Sequence, residues 1–188
     1  RWPDWPAQAL ALLGPEGSGK SHLAAIWARE AGARFLSARA VKGAHLPSAL
    51  ATGALVVEDL AAGGFDERAL FHLLNLAREE EAFLLLTATN PPGTWKAAIP
   101  DLASRLRAIP TVAIAPPDDG LLRAVLVKLF ADRQLHVDEG VVSFVLARIG
   151  RSLADAKAAV ARLDAEALRL RRPVTRVLAA EVLRLPQG

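Results

Sequence analysis

The chain has no cysteine and no methionine, and aromatic residues make up only 5% of its 188 positions. Without cysteine, disulfides and thiolate metal sites are excluded, which suits a reducing cytoplasm. Without methionine the chain opens on Arg1-Trp2-Pro3, so an upstream segment is expected. No apolar run approaches the roughly 20 residues of a membrane helix. There is no charged-then-apolar leader of the secretory type either, so no membrane partner is expected. Basic residues are not massed: there are only five lysines, the net charge is +3, and Arg169, Arg171 and Arg172 form the densest cluster. That cluster reads as a solvated helix end and not as a nucleic-acid-binding stripe. His22, His45, His72 and His136 show no metal-ligand spacing. Trp2, Trp5, Trp27 and Trp95 are scattered, which suggests neither a membrane belt nor a stacking platform.

What remains is a globular composition, 52% hydrophobic and 23% charged, long enough to bury a core and to form two small packed units. The first part alternates short apolar runs with helical patterns. Ala9–Gly14 reads as a buried strand, followed by a glycine-rich loop and a helix over Lys20–Ala31. Arg34–Ala38, Ala54–Leu60, Phe83–Thr89 and Thr111–Ala115 read as further strands, with a helix over Asp66–Glu80 between two of them. Near-continuous apolar strands separated by helices predict an α/β unit with a parallel sheet covered on both faces.

Pro116-Pro117-Asp118-Asp119 marks a boundary, dividing an α/β domain over 1–117 from a helical bundle over 118–188. Leu122, Val125, Leu126, Leu129 and Phe130 form one helical stripe, and Val142, Val145, Leu146 and Ile149 a second. Ser152 and Asp155 form a capping box that opens a third helix through about Leu170, and Thr175 caps a fourth to Leu183.

Gly14-Pro15-Glu16-Gly17-Ser18-Gly19-Lys20-Ser21 satisfies the phosphate-binding pattern G-x-x-x-x-G-K-[ST]. The glycines let backbone N–H groups turn inward around phosphates, and the helix that follows presents its positive end. Lys20 reaches the terminal phosphates, and the Ser21 hydroxyl is a ligand for Mg²⁺. Glu58-Asp59 end an apolar strand, where one carboxylate would hold Mg²⁺ and the next would orient the attacking water. Thr87, Thr89 and Asn90 close the next strand and offer a polar group beside the γ-phosphate. Arg105, by spacing alone, is a surface arginine on a short helix before the last strand.

Taken in order, the phosphate loop, acidic strand, polar strand end, Ser104-Arg105 element and helical bundle resemble the AAA+ ATPases, within them the DnaA replication-initiator clade. The phrases GPEGSGKSHLA, PDLASRL and DDGLLRAVLVKLFADRQL resemble the Hda family, DnaA-like regulators that inactivate the initiator. The resemblance implies a five-stranded AAA+ sheet followed by a helical lid, with ADP or ATP and Mg²⁺ as cofactors and a bacterial, cytoplasmic location. It adds His22, Thr89 and Arg151 to the nucleotide-contacting set. Glu58 and Ser21 would attend the metal, and Arg105 would be an arginine finger inserted into a neighbour's nucleotide site. It also implies DnaA and the replicative sliding clamp as partners, the clamp being reached through the upstream segment, with a homo-oligomer as a further assembly. Two departures stand out. Initiators usually carry Asp where this chain has Glu58, and Ala154 occupies the position of the lid's sensor arginine, leaving Arg151 as its substitute. Both imply weak intrinsic turnover. No helix-turn-helix follows the lid, so direct sequence-specific DNA binding is not expected. The alternatives are an autonomous ATPase of the helicase-loader kind and an initiator shorn of its DNA-binding domain.

Overall fold

Strand residues that alternate between two apolar environments must sit in a sheet covered on both sides, because successive side chains point to opposite faces. The computed structural model, which describes residues 2–61 and 64–184, bears this out. Five parallel strands, β1 (Ala9–Leu13), β2 (Arg34–Ser37), β3 (Ala54–Leu60), β4 (Phe83–Ala88) and β5 (Thr111–Ala113), lie in the order β2-β3-β4-β1-β5. Leu13, Leu55, Val57, Leu84 and Leu86 enter one core together with residues of α2 (Leu46–Leu50), α3 (Glu67–Glu79) and α4 (Pro100–Ala108). Leu12, Ala54, Val56 and Leu85 enter the other, against Ala24, Trp27 and Ala28 of α1 (Lys20–Ala31).

Among the described residues, the second part of the chain carries helices and no strand: α5 (Asp119–Asp132), α6 (Glu139–Leu146), α7 (Leu153–Leu170) and α8 (Arg176–Arg184). Leu122, Leu126 and Phe130, one turn apart along α5, are buried among Val145 of α6, Val160 and Leu163 of α7 and Val182 of α8. The starts of α5, α6 and α7 are capped by Asp118, Asp138 and Ser152, whose side chains accept N–H groups of the first turn. The chain divides into two compact units, Arg1–Pro15 with Gly19–Ile114 and Glu16–Ser18 with Ala115–Gly188.

Several details differ from the sequence reading. The strands end earlier than their apolar runs, at Ser37, Ala88 and Ala113, so Thr89 lies just past its strand. α6 stops at Leu146, and Ile149 packs from the following turn. The short α2 carried too few residues to show a period. The tryptophans are not scattered in space. Trp5 stacks on Trp27 at 4.9 Å, and Trp2 meets Trp27 and Phe83 edge-on at 5.3 and 4.5 Å. This cluster seals the α1 side of the sheet, while Trp95 is buried in the core on the opposite face. Among the described residues no helix is long and apolar enough to cross a membrane.

Candidate phosphate-binding site

The loop between β1 and α1 is built by backbone geometry. Gly14 N–H donates to the Ala88 carbonyl at 3.2 Å, tying the loop's start to the end of β4. Gly17 and Gly19 have φ of 73° and 99°, left-handed values that side-chain-bearing residues adopt only at a cost. Gly19 is the N-cap of α1, with no side-chain cap and no acidic residue in the first turn. No acidic residue of its own first turn therefore offsets the positive end of the helix.

Among the described residues, the N–H groups from Gly17 to His22 donate to no carbonyl or side chain. A run of consecutive unspent donors at a helix start is what a phosphate group requires. The Ser18 hydroxyl is likewise buried without a partner, a state that costs free energy until an acceptor arrives. Lys20 is only 8% exposed. Its ammonium donates to the Gly14 and Pro15 carbonyls, both at 2.9 Å, which holds it beside the loop with a third N–H to spend. These residues fit a nucleotide's phosphates. A nucleotide there would supply the phosphoryl group, and this chain would offer it N–H donors, the Lys20 charge and the Ser21 hydroxyl. Ser21 and His22 are exposed on the first turn of α1.

The acidic pair is not simply a strand end. β3 continues through it to Leu60, and the pairing with β4 slips there: Val57 pairs with Leu86, and Leu60 with Ala88. Glu58 is half-buried and Asp59 exposed, and Asp59 adopts a left-handed φ of 58°. Thr87 is fully buried and its hydroxyl accepts the Asp59 N–H at 3.0 Å, whereas Thr89 and Asn90 are exposed beyond the strand. The sequence offered Thr87, Thr89 and Asn90 as polar groups beside the γ-phosphate, with Thr89 in the nucleotide set; the contact of Thr87 with Asp59 depends on strand register and had no signal in the sequence.

Arg105 is half-buried on α4. Its guanidinium lies 5.1 Å from the centre of the Phe71 ring on α3, and among the described residues it makes no ion pair. The approach to α4 is held from the same helix. The Glu67 carboxylate, one turn before Phe71, accepts the Ala98 and Ile99 N–H groups at 2.9 and 3.2 Å.

In the second unit, Leu153 N–H donates to the Gly17 carbonyl at 2.9 Å, and a Cβ on Gly17 would come within 3.0 Å of Ala154 and Ser152. Arg151 precedes the N-cap of α7, is largely exposed, and pairs with Asp119 at 3.2 Å.

No protein-family model matches the chain. In sequence it is 28% identical over 162 residues to chromosomal replication initiator protein DnaA 1 of Chlamydia trachomatis, a match covering 76% of this chain and 36% of that protein. It is 29% identical to DnaA of Cutibacterium acnes over 120 residues, 63% of this chain and 24% of that protein. Over 120 residues, 53% of this chain and 40% of the relative, it is 35% identical to a putative insertion sequence ATP-binding protein of Sinorhizobium fredii. The chain thus spans well under half the length of these relatives. In structure it matches domain III of Thermotoga maritima DnaA with a TM-score of 0.74 at 19% identity, covering 94% of this chain and 83% of that one. It matches the Thermotoga maritima RuvB branch migration motor at 0.75 and 17%, covering 94% and 61%. A DnaA bound to AMPPCP and single-stranded DNA matches at 0.63 and 18%, covering 87% and 58%. The chain therefore has the AAA+ fold, and the proteins it resembles in sequence include the DnaA replication initiators.

Proposed function

We propose that this chain binds ADP or ATP with Mg²⁺ and acts as a regulator of chromosome replication initiation. In this reading it promotes hydrolysis of DnaA-bound ATP by supplying Arg105 to that site, acting with the sliding clamp. The observation that carries it is the presentation of Arg105: a guanidinium resting on an aromatic face, on a helix whose approach is anchored by Glu67. An arginine without a carboxylate partner keeps its full charge for an incoming phosphate. Such a finger is typically worth roughly 10³–10⁵ in rate. Similarity to DnaA over most of the chain supports a partner of the same fold, since AAA+ neighbours can share a nucleotide between them. Glu58, one methylene longer than the initiators' Asp, and Ala154 at the sensor position support weak turnover by the chain itself.

The test follows hydrolysis of ATP already bound to DnaA, with and without DNA-loaded clamp, on addition of this protein. Clamp-dependent stimulation that disappears in Arg105→Ala is the expected result. Stimulation that survives Arg105→Ala would remove the finger from the mechanism. A second reading, an ATPase that spends its own nucleotide, is favoured by the similarity to the insertion sequence ATP-binding protein. Substantial turnover by the chain alone, lost in Asp59→Asn, would select it.

A further inference from the structure

β4 is an aliphatic strand with one hydroxyl in it. Leu84, Leu85 and Leu86 precede Thr87, which is 0% exposed. Valine has the same shape as threonine and an equal liking for a strand, so a buried hydroxyl here needs a reason. A hydroxyl withdrawn from water without a hydrogen bond is costly. The reason lies across the sheet. Between the pairs Val57–Leu86 and Leu60–Ala88, β3 has two residues, Glu58 and Asp59, where β4 has only Thr87. This is a β-bulge, a device that re-aims side chains next to sites. It also withdraws the Asp59 N–H from the regular ladder and puts Asp59 at a φ of 58°. The Thr87 hydroxyl takes up that N–H at 3.0 Å.

We infer that Thr87 is a positioning residue for the Glu58–Asp59 pair: its hydroxyl holds the bulge in the conformation from which the pair would serve a nucleotide-bound Mg²⁺ and the water beside it. The inference rests on the reading of the Gly14–Ser21 loop as a phosphate site. Thr87 itself acts only through the Asp59 backbone. Without the hydroxyl, the Asp59 N–H is released, the left-handed turn loses its restraint, and the two carboxylates sample other directions. Groups that orient ligands in this way are typically worth about 10–100-fold in metal affinity.

The test measures ADP and ATP affinity by calorimetry, in Mg²⁺ and in EDTA, for the wild-type chain and for Thr87→Val, Thr87→Ser and Thr87→Ala. Exchange of the Asp59 amide is followed by NMR. Expected are unchanged affinity in EDTA for all variants and loss of about tenfold or more of the Mg²⁺-dependent gain in Thr87→Val. The Asp59 amide should exchange fast in that variant, and Thr87→Ser should recover both properties. Thr87→Ala, which cannot overpack the strand, gives the same reading should Thr87→Val fail to fold. A Mg²⁺-dependent gain that is intact in Thr87→Val or Thr87→Ala, whatever happens to their melting temperatures, overturns the inference and leaves the phosphate site standing. Wild-type protein that binds neither nucleotide overturns the site reading and the inference with it.

Discussion

At the scale of single residues, the proposed phosphate loop would work through groups left unspent. Among the described residues, Lys20 is buried yet bonded only to two carbonyls of its own loop, and the N–H groups from Gly17 to His22 face no acceptor. A charged hydrogen bond contributes about 1.5–3 kcal/mol, so Lys20→Ala is expected to lower nucleotide affinity roughly tenfold to a hundredfold. Binding of a fluorescent ADP analogue measures it; an unchanged affinity would mean that the ammonium serves the loop and not the ligand. This part of the site was legible in the sequence because its geometry is local: eight consecutive residues specify the turn, the donors and the charge. Thr87 was not legible as a support for Asp59, because that contact spans 28 positions and exists only through the slip between β3 and β4.

At the scale of elements, the helix starts follow rules that act over three or four residues. Asp66, Asp118, Asp138 and Ser152 each accept an N–H of the turn they precede, and the Thr175 hydroxyl accepts the Leu178 N–H. Ser152 was identified as a cap from its spacing to Asp155, and it accepts the Asp155 N–H at 3.0 Å. The reciprocal bond differs from a standard capping box: the Ser152 hydroxyl donates to the Asp155 carboxylate at 2.7 Å, because Asp is too short to reach back to the backbone. Ser152→Ala should cost about 1 kcal/mol of stability, read as a lower denaturation midpoint with an unchanged slope. A cost near zero would show that the Gly17 carbonyl bond to Leu153 alone holds this helix start. Strand ends were read less well. Thr89, Ala38 and Ala115 continue apolar runs but lie outside the ladder, since pairing stops where a neighbouring strand no longer offers a partner.

At the scale of the whole molecule, a ligand that binds the folded chain and not the unfolded one must raise its melting temperature. At a hundred times its dissociation constant, ADP should add about 2.7 kcal/mol. A thermal scan of wild type against Lys20→Ala, at matched ADP, should therefore show a rise that the variant lacks; equal rises would place the nucleotide elsewhere. The family resemblance implied a five-stranded sheet, but the strand order β2-β3-β4-β1-β5 is given by the structure, because period-2 patterns say that strands exist but not which ones are neighbours. By itself the sequence determined what depends on residues close in the chain: the glycine-rich loop, the apolar strands and helix faces, the caps at Ser152 and Thr175, and the change from α/β to all-helical character near Pro116. The tertiary structure alone decided what depends on residues brought together from afar. It drew Trp2, Trp5 and Trp27 into one cluster, placed the bulge at Glu58-Asp59 under the Thr87 hydroxyl, and laid Arg105 on Phe71. Each is a side-chain contact that closes only after the sheet and its helices have packed, so no local pattern could carry its signature.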